Sequence, residues 1–194
     1  KTSSGRVNKL DVGLEECFKT PLGWITPTKF LFHCDISTGE TSKKFLTEVR
    51  YYTYDVLNDE LLEIASGMDV GFDALSPNGQ YAIYYEKQNG SHVKDLLNGQ
   101  IYPSPLPNGQ KVWSHDSSKI AIFTDNGDIY VSNYDGSDQQ KIYISGTPGY
   151  LSLEWFPDNE HIALVGYFDG NEEKTQMLVV STDGEVIVYD QIPT

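Results

Sequence analysis

The chain is predicted to be all-β, built from about four similar units of four antiparallel strands. Three observations carry this expectation. Short apolar or alternating runs recur along the sequence, such as Tyr81-Ala82-Ile83-Tyr84-Tyr85, Ile120-Ala121-Ile122-Phe123 and Ile162-Ala163-Leu164-Val165. Turn pairs separate them: Asn78-Gly79, Asn98-Gly99, Asp125-Asn126-Gly127, Asp135-Gly136, Asp169-Gly170 and Asp183-Gly184. These residues accept positive φ at little cost, as tight hairpins require. A longer pattern then repeats about every forty residues. The best helical stretch, 58–65, follows a strand-like run through an Asn-Asp turn and reads better as a hairpin.

Residues 1–21 read as an N-terminal tail. Lys1-Thr2-Ser3-Ser4-Gly5 carries no apolar signal core. Segment 6–18 alternates weakly through Val7, Leu10, Val12 and Leu14. It is expected either to complete the last unit or to be the remnant of a preceding one. The repeated units are expected at about 22–66, 69–103, 109–145 and 150–191. Leu106-Pro107-Asn108-Gly109 and Gly146-Thr147-Pro148-Gly149 are the expected connections.

The repeat is anchored by Leu75-Ser76-Pro77-Asn78-Gly79, Trp113-Ser114-His115-Asp116-Ser117 and Trp155-Phe156-Pro157-Asp158-Asn159. The leading residues are 38 and 42 positions apart. A weaker copy, Trp24-Ile25-Thr26-Pro27-Thr28, opens the first unit, where a polar insertion near 36–48 lengthens the inner hairpin. A four-strand unit at this period is the signature of propeller blades. The Trp or Leu heading each unit is expected in the seam between blades, and Ala82, Ala121 and Ala163 are expected at one equivalent place. Four units suit either a closed small ring or an arc of a larger one.

Residues 112–144 carry the pattern best: Trp113, Ser114-His115-Asp116-Ser117, Ile120-Ala121-Ile122-Phe123, Asp125-Asn126-Gly127, Ile129-Tyr130-Val131 and Asp135-Gly136. This unit resembles the TolB-type, WD-like β-propeller repeat. The resemblance covers nearly the whole chain after residue 21. It implies the propeller fold and a periplasmic or outer-surface location; a cytosolic one stays open.

Charge narrows the partners. Lys+Arg is 14 against 28 Asp+Glu, a net charge of −14. Such a surface repels phosphate backbones, so nucleic acid is an unsuitable partner. No apolar run is long enough to span a membrane as a helix. Hydrophobic residues make up 39% and aromatics 12%, which argues for a folded chain.

Chemistry-bearing motifs are sparse. Cys17 and Cys34 could form one disulfide or remain two buried thiols. His33, His92, His115 and His161 show no metal-ligand spacing, and no metal or cofactor is expected. Asp125-Asn126-Gly127-Asp128 and Asp135-Gly136-Ser137-Asp138 look like pieces of calcium loops but lack the length and the distal Glu; hairpin chemistry accounts for them. Glu172-Glu173 reads as a solvated loop. No Gly-x-Ser-x-Gly elbow and no phosphate loop occur. Tyr51, Tyr52, Tyr54, Tyr84, Tyr85 and Tyr102 form either an exposed patch or a tyrosine-rich seam, and the seam is the simpler assignment.

The expected function is a non-catalytic binding or scaffolding module for a protein or peptide, with self-association if the propeller is open. The alternative is the propeller domain of an enzyme whose catalytic part is not in this chain: a prolyl-oligopeptidase-like peptidase or a propeller lyase. Sugar binding through Tyr and Trp is a weaker third reading.

Overall fold

A computed structural model describes residues 17–41, 44–67, 70–87, 90–144, 150–166 and 176–189. These form sixteen strands and, among the described residues, no helix. The first sheet contains β1 (Phe18–Trp24), β2 (Lys29–Thr41), β3 (Lys44–Asp55) and β4 (Glu60–Gly67). The second contains β5 (Val70–Leu75), β6 (Tyr81–Glu86), β7 (Gly90–Asp95) and β8 (Ile101–Leu106). The third contains β9 (Gln110–Trp113), β10 (Lys119–Phe123), β11 (Asp128–Asn133) and β12 (Gln140–Ile144). The fourth contains β13 (Tyr150–Trp155), β14 (His161–Gly166), β15 (Gln176–Ser181) and β16 (Val186–Tyr189).

Each sheet is an antiparallel meander in chain order. The first begins at Phe18, ahead of the Leu22 expected from the repeat, and the 58–65 stretch is turn and strand. Apart from Cys17 and Phe18, the segment 6–18 lies outside the described residues. So do the 146–149 connection, Asp169-Gly170 and Glu172-Glu173.

The sheets are blades stacked face to face, with β9 lying between β5 and β13. Among the described residues the four sheets form an arc that is not closed into a ring. Strand alternation divides each blade into a face toward its predecessor and a face toward its successor. Leu31, Tyr51 and Ile64 of blade 1 meet Ala82 and Leu96 of blade 2. Ile83, Val93 and Leu106 of blade 2 meet Trp113, Ile120 and Ile122 of blade 3. Ala121, Phe123, Ile129 and Val131 of blade 3 meet Leu153, Trp155, Ile162 and Leu164 of blade 4. Burying apolar area in these seams at roughly 25 cal/mol per Å² is what holds the blades together.

Register corrects one expectation. Leu75 pairs with Ala82, Trp113 with Ile120 and Trp155 with Ile162. Ala82 is therefore equivalent to Ile120 and Ile162. Ala121 and Ala163 share a place with Ile83, one step along and on the opposite face. A one-residue shift in a strand reverses the side chain.

The three best-preserved turns share one design. Asn78 Oδ1 accepts Gln80 N–H, Asp116 Oδ1 accepts Ser118 N–H and Asp158 Oδ1 accepts Glu160 N–H; in the first two turns Ser76 Oγ and Ser114 Oγ also donate to that side chain. The fourth turn residue is left-handed each time: Gly79, Ser117 and Asn159 have φ of 73°, 63° and 58°. The same residues meet the preceding blade. Ser117 Oγ accepts Asn78 N–H at 3.0 Å, and Asn159 Oδ1 accepts Asp116 N–H at 3.1 Å. Gly79 packs on the backbone of Ile25.

Candidate functional site

Two exposed surfaces stand out against this regular background. The first is the inner end of blade 1. Trp24 is equivalent to Trp113 and Trp155 by register with the following strand. Those two are 5% and 2% exposed, whereas Trp24 is 61% exposed. Its ring meets Phe30 edge-on at 5.5 Å. With Pro21, Leu22, Gly23 and Phe30 it lines an apolar hollow of about 380 Å³. A bulge between Pro21 and Gly23 displaces Leu22 from the ladder and shapes this wall.

The second surface is built from two matching turns. Asp55-Val56-Leu57-Asn58-Asp59-Glu60 and Asp95-Leu96-Leu97-Asn98-Gly99-Gln100 join the last two strands of blades 1 and 2. Asp55 Oδ1 accepts the N–H groups of Leu57 and Asn58, and its Oδ2 accepts Asn58 Nδ2. Asp95 does the same for Leu97 and Asn98. The fifth residue is left-handed in both, Asp59 at 54° and Gly99 at 77°. Val56 N–H donates to Thr28 O and Leu96 N–H to Gln80 O, which fastens each turn to its own blade. Leu57 and Leu97 are thus held outward, 76% and 56% exposed. Leu62 and Ile101 on the following strands are also exposed. The leading N–H donors hold the Asp55 carboxyl below its usual pKa.

The tyrosines divide differently from an exposed patch. Tyr51, Tyr52, Tyr54 and Tyr84 are buried. Tyr51 lies in the first seam, and Tyr52 stacks on Phe32 on the outward face of blade 1. Half-buried Tyr102 joins Tyr81, Tyr134 and Trp113 in the second seam, where Tyr81 stacks on Tyr134 at 4.7 Å and on Trp113 at 6.0 Å. Burial first, then the neighbouring Tyr134 and Tyr81, push the Tyr102 phenol up to about 12. That grouping depends on blade stacking and has no local sequence signal.

The remaining sequence-selected residues are dispersed. The Cα atoms of Cys17 and Cys34 lie 5.3 Å apart, within the span a disulfide needs. His115 Nε2 contacts Trp155 O at 3.1 Å in the third seam. His161 Nδ1 lies 2.8 Å from Asp158 Oδ2, and His33 is 3.9 Å from Asp35. His92 lies against Tyr84, with ring centroids 5.9 Å apart. Among the described residues no three His, Cys, Asp or Glu side chains converge as a metal site. The acidic turns bind their own chain: Asp128 pairs with Lys141 at 2.6 Å, Asp135 accepts Ser137 N–H, and Asp138 accepts Asn133 Nδ2. A second bulge presents Asp73, which sequence reading passed over. It accepts Ser91 Oγ and pairs with Lys111 of the next blade at 3.0 Å.

No protein-family profile matches the sequence, and no curated protein matches it. Solved structures do. TolB from Acinetobacter baumannii superposes with a TM-score of 0.52 at 17% identity, over 88% of this chain and 42% of that one. The acylaminoacyl peptidase of Pyrococcus horikoshii gives 0.62 at 13% identity, over 90% of this chain and 32% of that one. A prolyl endopeptidase structure gives 0.60 at 12% identity, over 89% and 29%. The chain therefore has a TolB-like β-propeller fold and spans less than half the length of each of these proteins.

Proposed function

We propose that this chain is a non-catalytic binding module that recognises a protein or peptide carrying apolar anchors flanked by basic residues. One observation carries the reading: successive blades repeat a hydrogen-bonded turn that holds a leucine, Leu57 or Leu97, out into water. A turn backbone already fixed in the free protein loses little entropy on binding. The net charge of −14 favours and steers a basic partner. The TolB-like fold supports a place at the cell envelope.

The test uses fluorescence polarisation with labelled peptides of two kinds. One places leucines among lysines and arginines; the other has the same leucines among glutamates. The basic peptide should bind, more weakly as salt rises, and the double variant Leu57→Ser/Leu97→Ser should lose about tenfold or more. Equal binding by both peptides, or by the folded double variant, overturns the reading.

The second reading makes this the propeller domain of a peptidase, with the catalytic part elsewhere in a longer protein. The superpositions on two peptidases favour it. It requires the encoding gene to continue into a hydrolase domain with a Gly-x-Ser-x-Gly elbow.

A further inference from the structure

Three tyrosines fill one corner of the second seam, and the matching corner of the third seam is open. Tyr81 and Tyr102 of blade 2 and Tyr134 of blade 3 pack ring on ring. Centroids lie 4.7 Å apart for Tyr81 and Tyr134, and 5.7 Å apart for Tyr102 and Tyr134. One blade on, register places Lys119, Gln140 and Thr182 at these positions. Lys119 pairs with Asn133 as Tyr81 pairs with Asp95. Gln140 pairs with Val131 as Tyr102 pairs with Val93. Thr182 N–H donates to Glu160 O as Tyr134 N–H donates to Ser118 O. With no ring at any of the three, a hollow of about 310 Å³ remains between blades 3 and 4, also lined by Val131, Asn133 and Asp138. That volume is in the range of small-ligand sites. In the first seam the same place is closed by Leu96, which stands at the Tyr134 position and is buried.

We propose that this hollow binds a phenol ring, the group that fills its counterpart in the second seam. Among the described residues no aromatic side chain lines it, so the ring comes from the occupant. Lys119 stands at the place of Tyr81, and an ammonium over a ring face substitutes for ring stacking. The chain already makes such a contact: Lys141 Nζ lies 5.4 Å from the centroid of Tyr130. Half-buried Lys119 reaches Asn159 O at 3.5 Å, a long contact that yields readily to a ring. A buried phenol needs a partner for its O–H. Asp138, Gln140 and Thr182 supply acceptors, and Asn133 Nδ2 holds the Asp138 carboxylate at 2.8 Å. Asp138 and Thr182 belong to the turns that join the last two strands of blades 3 and 4. These are the counterparts of the turns that carry Leu57 and Leu97, so one rim carries both features. The phenol is then a tyrosine of the polypeptide partner; that source rests on the functional reading above, whereas the phenol site does not.

Saturation-transfer NMR on the full chain tests the site, with N-acetyltyrosinamide as probe and methyl glucoside as control. Transfer to the tyrosine ring protons is expected, and none to the glucoside. Thr182→Tyr restores the ring that the second seam has at this place, so it should fill the hollow from within and weaken the probe by about tenfold or more. If that variant does not fold by circular dichroism, Gln140→Tyr at an exposed position of β12 replaces it. Leu57→Ser/Leu97→Ser should leave probe binding unchanged, so this inference and the functional reading fail separately. Fluorescence polarisation then identifies the source, using a lysine-rich leucine peptide with one tyrosine and the same peptide with alanine in its place. Binding about tenfold tighter for the tyrosine peptide, lost in Thr182→Tyr, assigns the ring to a polypeptide. No difference between the two peptides assigns it to a free small phenol. No transfer to N-acetyltyrosinamide overturns the proposal. So does equal transfer to the glucoside, or undiminished probe binding by the folded tyrosine variant.

Discussion

Asn159 of the last blade accepts the backbone N–H of Asp116 in the blade before it, at 3.1 Å, while its own backbone sits at φ 58°. One residue thus closes its own turn and ties two blades. Asn159→Ala loses the acceptor, about 1 kcal/mol, and forces alanine into the left-handed region, about 1 kcal/mol more. Asn159→Gly loses only the acceptor. Urea midpoints should therefore rank wild type above Gly and Gly above Ala. Ala matching Gly would mean that the backbone is not held there.

Gly79 and Gly99 separate conformation from packing. Both are left-handed, at 73° and 77°. A Cβ on Gly99 meets open space, whereas one on Gly79 presses on the Ile25 backbone of blade 1. Gly99→Ala should cost about 1 kcal/mol, from backbone strain alone. Gly79→Ala should cost at least ~2 kcal/mol, because a blade must move as well. Paired urea titrations check this; equal costs would remove the Ile25 contact from the account.

These turns explain how much could be read in advance. Seam tryptophans and left-handed turn residues impose a local requirement, so Trp113, Trp155, Gly79 and Asn159 were visible as a repeat. Grouping Ala82 with Ala121 and Ala163 by residue type places it one position off, and one position reverses the face. Counting fixes it: Ala82 stands seven positions after Leu75, as Ile120 does after Trp113 and Ile162 after Trp155, and the pairing of Leu75 with Ala82 agrees. The bulge that presents Asp73 has no local signature, since Lys111 comes from another blade. The Leu57 and Leu97 turns are legible as a repeat: Asp55 and Asp95 stand at one 40-residue spacing, each followed by Leu-Asn two positions later. Trp24 is legible as a weak copy, but its exposure has no local signal, since Trp113 and Trp155 occupy the matching register and are buried.

We propose that the Cys17–Cys34 bridge forms in the native protein and staples the start of β1 across β2. A loop of this size should contribute about 3 kcal/mol by restricting the unfolded chain. Non-reducing mass spectrometry should find the peptides of Cys17 and Cys34 joined, and Cys34→Ser should lower the urea midpoint to that of the reduced wild type. Two alkylatable thiols in the native protein would refute it.

Asp158 makes a pH prediction. The Glu160 N–H, then the His161 ring 2.8 Å away, hold its carboxyl at about 2, below its ordinary 3.8. A carboxyl whose folded pKa is depressed contributes stability above its unfolded pKa and loses it as pH falls through the folded value. The contribution is therefore whole at neutral pH and fades between about pH 4 and 2. Asp158→Asn keeps an oxygen for the two N–H groups and removes the charge. Its melting temperature should lie below wild type at pH 7, and the gap should close as pH approaches 2. A gap that stays constant across this range would mean that the turn is held by hydrogen-bond geometry, without help from the charge.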